Sequence, residues 1–142
     1  MYERIVVPLD GSAEAEAALP VAEALARRPG AHVQLVHIVD PRVIAGLNLA
    51  DTAALRTEQV CQADDYLSRI GAQLRTKGVA ADWDVRLGDP PRALLRAIRD
   101  VEADLVIVVR RGAGRSDEAG SVAMKLLRQA ACPAIMVPAP QT

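Results

Sequence analysis

Phenylalanine is absent from the sequence, and aromatic residues make up only 2% of it. The core must therefore be built from Val, Leu, Ile and Ala, which suits a buried parallel sheet. Cysteine is scarce too: Cys61 and Cys132 stand alone, without CxxC or Cys/His spacing. Such thiols read as reduced and structural, and they point to the cytoplasm. Histidine is limited to His32 and His37. In or beside one strand, an odd separation turns them to opposite faces, so they cannot pair as metal ligands. His37 reads as a packed residue with a satisfied ring rather than a base, and no Ser/His/Asp or Cys/His set is visible. Neither sign of charge dominates, since the formal net charge is −1. With no basic face or aromatic-plus-Arg platform, nucleic-acid binding is not expected. No apolar run approaches the roughly 18–20 residues that span a bilayer, so no membrane segment is expected. The opening Met1-Tyr2-Glu3-Arg4-Ile5 runs straight into an apolar strand and lacks the layout of a cleavable signal.

What is present fits one domain across residues 1–142. Short β-branched runs alternate with helical patterns. Ile5-Val6-Val7-Pro8-Leu9 reads as a central strand, and Asp10-Gly11-Ser12 breaks it, with Ser12 a helix N-cap. Ala15, Ala18, Leu19, Ala22, Leu25 and Ala26 then recur at helical spacing up to Pro29-Gly30, with a bend expected at Pro20. Val33 to Val39 is a second strand, and the stretch from Arg42 to Asp51 reads as an apolar loop. A long helix uses Val60, Ala63, Leu67, Ile70 and Leu74. Trp83 to Leu87 alternates as a strand near the sheet edge, and Gly88-Asp89-Pro90 turns into a helix carrying Leu94, Ile98 and Val101. Leu105 to Val109 is the strongest buried-strand signal; a glycine-bearing loop, a helix through Val122, Leu126 and Ala130, and a last strand Ala134 to Val137 follow. Five strands alternating with four helices predict an α/β fold: a doubly wound parallel sheet with right-handed crossovers.

Ligands of open α/β sheets bind beyond the carboxyl ends of the strands. The richest such segment is Arg110 to Ser121, which holds Gly112, Gly114 and Gly120, with Arg111, Arg115 and Lys125 as sources of charge. Glycines let backbone N–H groups approach an anion, and a helix N-terminus favours it. The alternative is a turn with Ser121 as a simple N-cap. A GxxxxGK[ST] loop is missing, which excludes a Walker-type site, and one glycine rather than GxGxxG after the first strand argues against a Rossmann site. A receiver-like phosphoacceptor is disfavoured because Asp10 stands without an acidic partner and Asp89 follows a glycine turn.

Taken in order, several landmarks resemble the universal stress protein (UspA) family. They are Ile5–Ser12, Leu35-Val36-His37-Ile38-Val39, Gly88-Asp89-Pro90, Ala103–Val108, Gly114-Arg115-Ser116, Gly120-Ser121-Val122-Ala123 and Cys132–Val137. The resemblance implies a Usp/adenine nucleotide alpha hydrolase-like sheet ordered 3-2-1-4-5. It also implies an adenine-nucleotide site, of ATP in the ATP-binding members. There Asp10, after Pro8 and Leu9, contacts the ribose, and backbone near Ile38 and Val39 meets the adenine. Phosphates lie on a G-x2-G-x9-G-[ST] loop matched here by Gly114, Gly120 and Ser121, with Val122 next.

Two departures stand out. Arg111 replaces the first glycine of that loop, and only five residues separate Gly114 from Gly120 where the family has nine. Four fewer residues remove about 13 Å of extended reach. Arg111 and Arg115 could compensate by binding phosphate through their side chains. The expectation is therefore weak or altered nucleotide binding, with magnesium only if ATP binds. The resemblance further implies a homodimer through the last strand, with Ile135 and Val137 at the partner and Pro138 limiting further pairing. The leading reading is a cytoplasmic, non-enzymatic stress-response regulator or binding module with an unknown protein partner. The alternatives are an ATP-binding member with slow hydrolysis and a purely structural interaction protein whose 42–50 loop docks a partner.

Overall fold

The computed structural model describes residues 2–42, 52–110 and 128–140. Its strands are β1 (Arg4–Pro8), β2 (His32–Val39), β3 (Ala80–Leu87), β4 (Leu105–Arg110) and β5 (Ala134–Pro138). All neighbours are parallel, in the order β3-β2-β1-β4-β5. Among the described residues the α-helices are α1 (Leu19–Ala26), α2 (Thr52–Thr76) and α3 (Pro90–Asp100). The fourth expected helix falls almost wholly outside the described residues, of which 128 and 129 are helical.

The aliphatic sheet is buried on both faces. Ile5, Val7, Val33, Leu35, Leu105 and Ile107 pack with Ala22 of α1 and Leu67, Ile70 and Leu74 of α2. On the other face Val6, Val36, Val106 and Val108 pack with Leu94, Leu95, Ala97 and Ile98 of α3. Alternate residues of each strand serve opposite layers, so continuous Val/Ile/Leu runs replace the alternation of a half-exposed sheet.

Three local readings need correction. The helix after Ser12 begins as a 3-10 turn (Ala15–Ala18) and becomes α-helical at Leu19. Pro20 therefore lies in the first turn of α1, where no intrahelical N–H is required, and the expected bend becomes a change of helix type. Strand β3 begins at Ala80, three residues before the sequence reading, because Ala80, Ala81 and Asp82 pair with His32, Val33 and Gln34. Pro41 and Arg42 are helical, so Arg42 does not begin a loop. Asp40 caps that turn, its Oδ1 accepting the Arg42 N–H at 2.9 Å. Residues 43–51 of the expected loop lie outside the described residues.

The two cysteines differ in surroundings. Cys61 is exposed on α2 and Cys132 is half-buried. Burial, helped by the charge of Asp104, pushes the Cys132 thiol above its ordinary pKa. The thiolate is the reactive form, so an aromatic disulfide reagent at neutral pH is expected to label Cys61 about tenfold faster or more. Equal labelling rates by mass spectrometry would contradict this.

Candidate functional site

Along β1, residues of even number turn their peptide groups towards β4, as the Asp104 N–H to Arg4 C=O bond of 2.9 Å shows. Odd residues turn towards β2, as in the Leu9 N–H to Val36 C=O bond of 2.8 Å. Pro8 falls at the position where β1 should next donate to β4, and proline has no N–H. Pairing of β1 with β4 accordingly ends at Val6 and Val106, whereas pairing with β2 continues to Pro8 and Val36. Pairing stops at the point where the strand order reverses, the place that forms the ligand crevice of open α/β sheets.

The floor and lips of the crevice follow from the next residues. Leu9 is buried, and Asp10 is exposed at the lip. Asp10 Oδ1 accepts the Ser12 N–H at 2.9 Å and the Ser12 hydroxyl at 2.5 Å. This Asx-turn uses Gly11 at φ +88°, a left-handed conformation that glycine adopts without strain. Ser12 Oγ in turn accepts the Ala15 N–H at 3.2 Å, but the cap position of the 3-10 helix is Glu14 rather than the expected Ser12. Behind it, the Tyr66 hydroxyl donates to Glu16 Oε2 at 2.7 Å. Burial, then Glu16 and the charge of Asp10, push the Tyr66 hydroxyl well above its ordinary pKa and keep it a donor.

At the end of β2, Ile38 is half-buried and Val39 buried. The Arg42 guanidinium forks onto Asp40, Nε to Oδ1 at 3.0 Å and Nη2 to Oδ2 at 2.8 Å, and also reaches Asp89 Oδ1 at 3.1 Å. This holds the Asp40 carboxyl below the usual carboxylate range despite some desolvation. With the Gly88 N–H on the Val39 carbonyl at 3.0 Å, it ties the β2 tip to the β3–α3 turn.

Of the residues expected at the site, the fold thus brings Pro8, Leu9, Asp10, Ile38 and Val39 to one end of the sheet. Arg111, Gly114, Arg115, Gly120, Ser121 and Val122 lie outside the described residues. The last described residue before them, Arg110, ends β4 at the same end. The Arg42 and Tyr66 contacts were not foreseen; for Arg42, Asp-Pro ahead of a polar residue is a helix-start signal that was available.

The fold is that of an open α/β domain whose strand order reverses between β1 and β4, the position at which such sheets bind ligands. The chain belongs to the universal stress protein family, whose model matches residues 1–138. A universal stress protein of Synechocystis is 27% identical over 150 aligned positions, covering 96% of this chain and 97% of that protein. A solved member of the family from Burkholderia pseudomallei is 31% identical, at TM-score 0.71 with 97% of each chain covered. The hypothetical protein MJ0577 shares the fold at TM-score 0.87, with 23% identity over 100% of this chain and 99% of its own. Two further solved members share the fold at 21% and 23% identity: one in complex with cAMP (TM-score 0.68) and one from Archaeoglobus fulgidus with dAMP (TM-score 0.64). Each match covers 96% of this chain, and 96% and 98% of those chains respectively. Among the described residues no helix is long and apolar enough to cross a membrane.

Proposed function

We propose that this chain is a non-enzymatic binding module of the stress response, working in the cytoplasm, that takes an adenine nucleotide in the β1/β4 crevice. The observation that carries the reading is the parting of β1 and β4 at Pro8, with Asp10 on its lip. Its two unpaired thiols suit a reducing compartment. The phosphate loop, four residues short and bearing Arg111 in place of glycine, favours a ligand with a single phosphate over ATP. The relatives in complex with cAMP and dAMP support that preference. Magnesium would accompany only a triphosphate.

Calorimetric titration of AMP, cAMP and ATP with magnesium tests this on protein freed of endogenous nucleotide. AMP or cAMP is expected to bind at least as tightly as ATP. Asp10→Ala is expected to weaken binding about tenfold through lost charge-assisted bonds. Absence of heat with all three nucleotides would overturn the reading.

The same module is proposed to act as a homodimer joined through β5, which is an edge strand with Ile135 and Val137 half-exposed. Residues 133 and 139 bond β4 through their backbone, so the peptide groups of the alternate residues Ala134, Met136 and Pro138 turn away from β4. Met136→Pro removes an outward N–H without touching the β4 ladder. Sedimentation is expected to show a dimer for the natural chain and a monomer for this variant; a monomer in both cases would refute the proposal.

A further inference from the structure

The floor of the crevice holds an unusual exchange of partners. Along β2, even residues face β1 and odd residues face β3: the Val36 carbonyl accepts from Leu9, and the Val39 carbonyl accepts from Gly88. Ile38 therefore turns both its N–H and its C=O towards β1, just past the last paired residue, Pro8. A continued parallel ladder would place the Ile38 N–H on the Leu9 carbonyl. That carbonyl is instead 2.8 Å from Nδ1 of His37. A carbonyl can only accept, so Nδ1 carries the proton and donates. Neither polar group of the Ile38 backbone has a hydrogen-bond partner among the described residues.

We propose that His37 is a positioning residue: its Nδ1–H holds the Leu9 carbonyl turned out of the β1–β2 ladder, which leaves the Ile38 N–H and C=O together as an open donor–acceptor pair. The rest of this inference depends on the reading of the crevice as an adenine-nucleotide site. One residue then offers a donor beside an acceptor, which complements the N1 acceptor and N6 amino donor of adenine. Hypoxanthine presents the reverse pattern, N1–H and O6, and leaves both backbone groups mismatched. The selectivity for adenine is built by a side chain that never touches the base, because an unpaired group at the floor strongly penalises the wrong ligand.

Amide hydrogen exchange in the unliganded protein tests the positioning role without any nucleotide. The Ile38 amide is expected to exchange about tenfold faster than that of Val36 in the natural chain. In His37→Leu, Ile38 should take the Leu9 carbonyl and slow about tenfold. In His37→Asn the side-chain amide reaches the same carbonyl and fast exchange returns. An Ile38 rate unchanged by His37→Leu overturns the proposal. Should that variant fail to fold, nitrogen NMR of the natural chain decides: a proton on Nδ1 coupled to the Leu9 carbonyl supports it, and an unprotonated Nδ1 refutes it.

Titration with AMP and IMP then tests the base reading. The natural chain is expected to prefer AMP about tenfold, His37→Leu to lose that preference and His37→Asn to regain it. Binding of neither mononucleotide, with the expected exchange pattern, removes the nucleotide reading while the role of His37 at Leu9 stands. Equal binding of both bases by the natural chain refutes the selectivity.

Discussion

Gly71→Ala is expected to destabilise the protein by about 1–3 kcal/mol, the cost of overpacking a filled core. The direction is opposite to intrinsic preference, since alanine in a helix interior is favoured over glycine by about 1 kcal/mol. The cause is Trp83. A Cβ at Gly71 would lie 2.7 Å from Trp83 Cε3 and 2.9 Å from Cζ3. The indole cannot simply retreat, because its Nε1–H donates to Asp64 Oδ1 at 3.0 Å and the Arg75 guanidinium sits 5.2 Å from the ring centroid. Glycine at position 71 is thus the recess in α2 that admits the largest side chain of the sequence. In a Trp83→Leu background the penalty should nearly vanish, giving a coupling of about 1–3 kcal/mol in a double-mutant cycle. Urea denaturation of the four proteins reads it. A stabilised Gly71→Ala, or strictly additive changes, would show that the indole does not set the limit.

Asp104→Ala should lower stability by about 2–3 kcal/mol. The Asp104 carboxylate accepts the backbone N–H of Glu3 at 2.8 Å and of Arg4 at 3.0 Å, so one side chain pins the start of the central strand. Hydrogen bonds to a charged acceptor are the stronger kind, and Ala removes two at once. The neighbouring ion pair of Arg4 with Glu102 is a useful contrast, with side chains 56% and 81% exposed. Glu102→Ala should change stability by no more than about 0.5 kcal/mol. Thermal and urea unfolding of both variants suffices. A loss at Glu102 equal to that at Asp104 would mean that surface charge, not the backbone clasp, holds β1 in place.

The sequence carried the sheet well because its strands are nearly uninterrupted aliphatic runs. Val33 to Val39 and Leu105 to Val109 can be satisfied only by burial on two faces, and both are strands within one residue of the expected bounds. The start of β3 was missed because Ala80, Ala81 and Asp82 carry no β-branched signal; their state is set by pairing to His32, Val33 and Gln34. Pro20 misled because an isolated proline reads the same whether it interrupts a helix or begins one. At the crevice, Asp10-Gly11-Ser12 announced a turn after the first strand, and the structure contains it as an Asx-turn. The effect of Pro8 was hidden because it depends on which neighbour its missing N–H would have faced. The contacts of His37 with Leu9 and of Tyr66 with Glu16 join residues 28 and 50 positions apart, beyond any local pattern.

The position of β1 also bears on how the chain is made. It precedes the other four described strands in the chain, yet it lies in the middle of the sheet between β2 and β4. Its β4 neighbour and the Asp104 clasp arrive only about a hundred residues later in the chain. At about 5–20 residues per second, a ribosome needs about 5–20 s to deliver them. During that interval the β4-facing edge of an apolar strand is open, a condition that favours off-pathway pairing. Closing the sheet through so distant a contact is expected to make folding slower than in a sheet completed hairpin by hairpin.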